Sequence, residues 1–165
     1  MTWPGAWPSY RLSESRRRLE GLRNELDQYN GDNKSIEHAL ARLVVVRSSG
    51  HVEFTLEECL GCFADAKADP RIASHLRSTL FKGRNPTPGR IETLLDSLDN
   101  SMVERIRIAF DADDELKRRE LKYMVSQRNL IAHGGSDGIS RRRALDLSDV
   151  ALGIGDLVVS ILDPR

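Results

Sequence analysis

An all-α fold is what this sequence predicts: a bundle with a core of four or more helices behind an irregular N-terminal arm. Three observations carry that prediction. Apolar residues recur at three- and four-residue spacing in almost every long segment, the period of a helix with one buried face. Clusters of Gly, Pro, Asn and Asp separate those segments, as at Gly31-Asp32-Asn33 and from Gly83 to Gly89. No Gly-rich phosphate loop follows a strand-like run, so the common nucleotide-binding folds have no support. The 165 residues suit one domain, and their 39% hydrophobic content is enough for a sizeable core. That domain is expected over residues 9–163, after an arm of residues 1–8.

In the arm, Trp3 and Trp7 are interleaved with Pro4 and Pro8, and the indoles either pack back on the bundle or meet a partner. Ser9 opens a helix to about Asn30, with Leu12, Leu19, Leu22 and Leu26 on its inner face. Arg16-Arg17-Arg18 lies off that face with Glu20 and Glu25 following, which fits either a salt-bridged surface or a phosphate-contacting one. Ser35 is the expected cap of the next helix, apolar on most of its circumference from Ile36 to Val46. Ser48-Ser49-Gly50 then permits close helix approach, and the period resumes through Val52, Phe54, Leu56, Leu60 and Phe63. The absence of proline favours one long helix across Gly50.

Asp69-Pro70 starts a short helix carrying Ile72, Leu76 and Leu80. From Phe81 to Arg90 the glycines and prolines make a surface loop. Lys82, Arg84 and Arg90 concentrate positive charge there with no acid between them, so the stretch is either a rigid turn or a loop that holds RNA phosphates. Helical patches with Ile91, Leu94, Leu95, Leu98, Val103, Ile106 and Ile108 follow, interrupted near Asp99-Asn100.

Residues 113–135 then read as one long helix. Asp113 or Asp114 serves as its cap, Leu116, Leu121, Met124, Val125, Leu130 and Ile131 are its apolar positions, and Gly134-Gly135 stops it. After a loop and the run Arg141-Arg142-Arg143, a last helix is expected from Leu147 to Leu162, capped by Ser148 and ended by Pro164.

The polar face of the long helix carries the chemistry. Asn129 and His133 are four apart and share a face, whereas Arg128 and His133 lie about 140° apart round an ideal helix. They converge only if the long arginine side chain reaches across and the glycines loosen the last turn around His133. A histidine beside a helix C-terminus also suits a capping role, where the dipole favours its cation. The functional alternative is an imidazole, a fixed cation and an amide gathered where a phosphate is held and a proton moved.

Arg128-Asn129-Leu130-Ile131-Ala132-His133 resembles the motif of the HEPN superfamily: an arginine, a polar residue and, a few residues on, a histidine. Its position late in an amphipathic helix, ahead of glycines and one more helix, is the context that resemblance requires. It implies a HEPN-like helical bundle, similar to the compact ribonucleases of prokaryotic toxin and defence systems. It further implies a metal-independent endoribonuclease acting as a symmetric homodimer, with His133 moving protons, Arg128 binding the scissile phosphate and Asn129 assisting. Glu53 on the second helix becomes a candidate to orient Arg128 or His133. An antitoxin or other regulatory protein is an implied partner. The rival is a non-catalytic helical module that dimerises and binds nucleic acid or protein.

Composition bounds these readings. The chain has 25 basic and 25 acidic side chains, so no global field attracts RNA, and Arg141, Arg142 and Arg143 or the Lys82–Arg90 loop must supply local cations. No apolar run reaches the roughly 18 residues of a membrane span, and a soluble cytoplasmic protein is expected. Cys59 and Cys62 form one Cys-x-x-Cys inside an apolar helix, and His38 and His51 lack ligand spacing. Buried filling is the reading of the cysteines, ordinary structural or exposed side chains that of the histidines. No cofactor and no metal is expected.

Overall fold

In the computed structural model, residues 5–79, 85–135 and 138–165 are described, and among them every regular element is a helix. Six occur: α1 (Tyr10–Gln28), α2 (Lys34–Lys67), α3 (Pro70–Thr79), α4 (Pro88–Asp96), α5 (Asn100–Ala132) and α6 (Arg141–Ile161). The all-α expectation therefore holds.

The centre of the bundle is α2, a 34-residue helix that runs unbroken through Gly50. It packs chiefly on α6, with α1 and α5 on its flanks, α3 at its C-terminal end and α4 against α5. One core joins them, including Leu26 of α1, Val44 and Leu60 of α2, Ile91 and Leu95 of α4, Ile106, Phe110, Leu121 and Met124 of α5, and Leu147 and Ile154 of α6, all fully buried. Close approach of α2 and α6 depends on Gly155, where an added Cβ would come within 2.8 Å of His51 Nε2. His51 itself is buried, with Nδ1 2.9 Å from Ser15 Oγ on α1.

Several local expectations need correction. Asn33, not Ser35, caps α2, its side chain accepting from the Ser35 and Ile36 N–H groups. The last helix begins at Arg141 under a Ser140 cap, six residues before the expected start. Ser148 lies buried inside it and donates to Leu145 O at 2.7 Å, the local bond an interior serine makes when no free helix end is present.

The expected cap at Asp113 or Asp114 is instead a joint. Asp99 caps α5, and the backbone leaves helical geometry from Ala112 to Glu115, with φ of 53°, 53° and 59° at Asp113, Asp114 and Glu115. The loop before α4 also ends sooner than expected, because Thr87 caps that helix and Arg90 sits in its first turn.

The arm folds back. Trp7 Nε1 donates to Val159 O on α6 at 3.2 Å, while Trp3 lies outside the described residues. On α1, Arg17 and Arg18 each reach Glu14 at 2.8 Å, and Arg16 pairs with Glu20 at 2.8 Å and with Asp156. The arginine run is thus a salt-bridged face. Cys59 and Cys62 are buried and free, and burial pushes both thiols up, away from the reactive thiolate. Among the described residues no helix is long and apolar enough to cross a membrane.

Candidate active site at the end of α5

The second half of α5 is held by Leu121, Met124 and Val125, which point into the core and turn Arg128 and Asn129 toward a half-exposed edge. Arg128 is where three parts of the chain meet. Its Nη1 donates to Asn85 Oδ1 at 3.0 Å and to Asn129 Oδ1 at 3.2 Å, and its Nη2 lies 4.0 Å from Glu53 Oε2 on α2. Two neutral amides and one carboxylate beyond hydrogen-bond length orient the guanidinium without neutralising it in a tight bidentate pair. With 37% of the side chain exposed, its remaining donors are open to an incoming oxyanion.

His133 forms the C-cap of the helix. Its N–H donates to Asn129 O at 3.1 Å while its backbone departs from helical values at φ −94° and ψ 10°. Gly134 follows at φ +72°, and Gly135 N–H closes the turn on Leu130 O at 2.8 Å. A left-handed residue costs glycine nothing, which is why the pair can end the helix here. The looser last turn expected for His133 is present. Its imidazole is exposed, with no hydrogen-bond partner among the described residues.

The structure therefore joins Glu53, Asn85, Arg128 and Asn129, with His133 one turn further on. Asn85 is the member sequence reading passed over. It lies inside the proline-bearing loop that was singled out for its cations, and the signal present was its position before Pro86, which favours extended backbone and a fixed side-chain direction.

The remaining candidates lie elsewhere. Arg141 donates to Tyr29 O at 2.7 Å and to Asp27 O, and lies 3.7 Å from Glu37. Arg143 pairs with Glu120 at 2.6 Å and lies over the Tyr123 ring at 4.5 Å. Arg142 is the exposed one, 85% accessible with a solvated pair to Asp146 at 3.0 Å. Lys82 and Arg84 lie outside the described residues. No group of three or more His, Cys, Asp or Glu side chains that could hold a metal occurs among the described residues.

Against this geometry, the profile of the RiboL-PSP-HEPN family matches residues 11–163. The chain belongs to that family. The matched span takes in Glu53, Asn85, Arg128, Asn129 and His133 and all but the first residue of α1. The HEPN superfamily, with its RNA nucleases, is thus the setting for the arrangement at the end of α5. No curated protein and no solved structure matches the chain.

Proposed function

We propose that this RiboL-PSP-HEPN protein is a metal-independent endoribonuclease. The 2'-hydroxyl of the RNA attacks the adjacent phosphate, giving a 2',3'-cyclic phosphate on one fragment and a 5'-hydroxyl on the other. The observation that carries the reading is the oriented, half-exposed Arg128, followed five residues on by an exposed His133 at the C-cap of the same helix. Arg128 binds the scissile phosphate and takes up the charge that develops in the transition state, and His133 moves the proton. Asn85 and Glu53 position Arg128, and Asn129 braces it from the same helix.

One imidazole serves poorly as both base and acid in a single step. A symmetric dimer supplies a second His133 and a second Arg128 to a shared cleft. Lys82 and Arg84 of the loop, with Arg90 in the first turn of α4, are the cations for flanking phosphates. In the arginine run, exposure favours Arg142, since Arg141 and Arg143 already hold bonds within the fold. Action as a cytoplasmic toxin or anti-phage effector, restrained by an antitoxin or other regulatory protein, completes the proposal.

The exposed, unbraced imidazole of His133 favours one second reading: a non-catalytic module in which the same surface only binds nucleic acid or protein. The test is RNA hydrolysis by purified protein in excess chelator, with His133→Ala alongside. Cleavage that His133→Ala abolishes supports the nuclease, whereas RNA binding without cleavage supports the module.

A further inference from the structure

The short helix α4 is tied to the second half of α5 at two separate points. Just before its first turn Asn85 Oδ1 accepts from Arg128 Nη1 at 3.0 Å, and in its second turn Glu92 Oε1 accepts from Arg118 Nη1 at 2.6 Å. The chain from Asn85 to Glu92 thus runs antiparallel to the stretch of α5 between the two arginines. Ten residues of helix put Arg118 and Arg128 about 15 Å apart along α5, and three steps of loop with four of helix carry the α4 side over a similar length. Between the two ties the chain is stiff. Pro86 and Pro88 are buried with φ set by their rings, Asn85 O accepts from the Thr87 N–H at 2.8 Å, and the Thr87 side chain caps α4 by accepting from the Arg90 N–H at 3.3 Å.

We propose that Glu92 and Arg118 are positioning residues for Arg128: their ion pair sets the register of α4 along α5, and α4 passes that register through Asn85 to the guanidinium at the candidate site. The consequence for catalysis rests on the nuclease reading, whereas the positioning rests on these contacts alone. Apolar packing holds α4 down without fixing its register to the same precision. Ile91 and Leu95 are fully buried and Leu94 nearly so, which presses the helix on the core, but burial is non-directional. The Arg128–Asn85 bond is less tolerant, since a slide of about 1 Å would carry the pair beyond hydrogen-bond length.

Arg118 is built to serve as the anchor. Its side chain is 19% exposed and that of Glu92 17%, so water screens the pair less than the surface pairs of α1. Its Nη2 donates to Asp111 at 2.7 Å, and its guanidinium lies 5.6 Å from the ring centroid of the fully buried Phe110. Asp111 and Arg118 stand on opposite sides of the joint from Ala112 to Glu115, so the same arginine also pins the angle between the two halves of α5. Three consecutive non-glycine residues keep left-handed backbone only where surrounding contacts over-determine it, and this bond spans them. The second cation near Glu92, Arg107, lies on the first half of α5 at 3.8 Å, beyond hydrogen-bond length. Arg118 is therefore the residue that joins α4 to the half of α5 carrying Arg128.

The experiment is a double-mutant cycle of Glu92→Ala and Asn85→Ala in the full chain. It is read by kcat and KM for RNA cleavage, by urea unfolding and by the nitrogen NMR signal of the Arg128 guanidinium, assigned with Arg128→Lys. Asn85→Ala should lower kcat about tenfold and change KM less, because a loosened guanidinium still meets the ground-state phosphate but is misplaced for the charge that grows in the transition state. Glu92→Ala should give a kcat loss of the same kind and move the Arg128 signal as Asn85→Ala does. In the double variant the kcat loss should be no larger than with Asn85→Ala alone, while the unfolding penalty of Glu92→Ala is the same in both backgrounds. Glu92→Gln keeps the side-chain volume and should shift kcat and the Arg128 signal in the same direction, which covers an alanine variant that fails to fold. Losses in kcat that multiply, full kcat in the folded Glu92 variants, or an Arg128 signal that ignores position 92 would each overturn the inference. The nuclease reading fails separately: if the parent cleaves no RNA, the Arg128 signal alone decides the positioning, upheld if it moves with Glu92 and lost if it does not.

Discussion

Around His51, three helices close on one imidazole; at the end of α5, His133 is left in solvent. His51 is 6% exposed, its Nδ1 engaged by Ser15 and its Nε2 against Gly155. Burial, with Arg16 adding to it, lowers its pKa from about 6.5 to about 4, with Asp156 and Glu20 opposing. That imidazole is a neutral packing element. His133 is exposed, and among the described residues it is held by the backbone bond to Asn129 O. The difference teaches that a histidine's use here is set by what the opposite helix presents: a glycine and a hydroxyl at one, open water at the other.

The largest expected effect breaks the open site and spares the closed one. His133→Ala and Arg128→Lys should each reduce RNA cleavage by roughly a hundredfold or more, because proton transfer goes in one case and the forked guanidinium geometry in the other. Thermal unfolding of both should stay near the parent's, since His133 is exposed and Arg128 half-exposed. A large drop in melting temperature would mean the end of α5 is structural.

The closed site should respond to pH. Between about pH 6.5 and 4 the unfolded chain binds a proton at His51 that the folded chain refuses, so stability is full above the window and falls as pH drops through it. The loss approaches about 3 kcal/mol. Urea unfolding across that range should show the slope in the parent and a shallower one in His51→Gln. Equal slopes would remove His51 as the cause.

Much of this contrast was legible in the sequence, and the missing parts share a cause. Helical period and breakers place the helices, and the absence of proline favours the run of α2 through Gly50, because these signals depend on residues a few positions apart. The Arg128–Asn85 bond joins positions 43 apart, and the bonds from Arg141 to Tyr29 O and Asp27 O span 112 and 114. No local pattern encodes them, so sequence alone gives no sign of Asn85 and offers Arg141 only as a substrate contact, whereas the structure shows it fastening α6 to the end of α1. The joint at Asp113–Glu115 was hidden for another reason: an acidic run suits a helix start as well as it suits left-handed turns at aspartate.

Smaller effects sharpen the packing side. Gly155→Ala forces a methyl to 2.8 Å from His51 Nε2 and should cost about 2 kcal/mol in urea unfolding, while Gly153→Ala on the same helix, with open space around it, should not destabilise. Ser140→Ala removes the cap that accepts from the Arg143 N–H and should cost about 1 kcal/mol, measurable in the same assay.

The central claim is that the open site works through the substrate's own 2'-hydroxyl. The most direct measurement gives the purified protein a short RNA and its counterpart bearing one deoxyribose at the cleaved position, both in excess chelator, and identifies product ends by mass spectrometry. The account predicts cleavage of the all-ribose strand to a 2',3'-cyclic phosphate and a 5'-hydroxyl, with none at the deoxy position. Cutting at the deoxy position, or cleavage only when magnesium is restored, would contradict it.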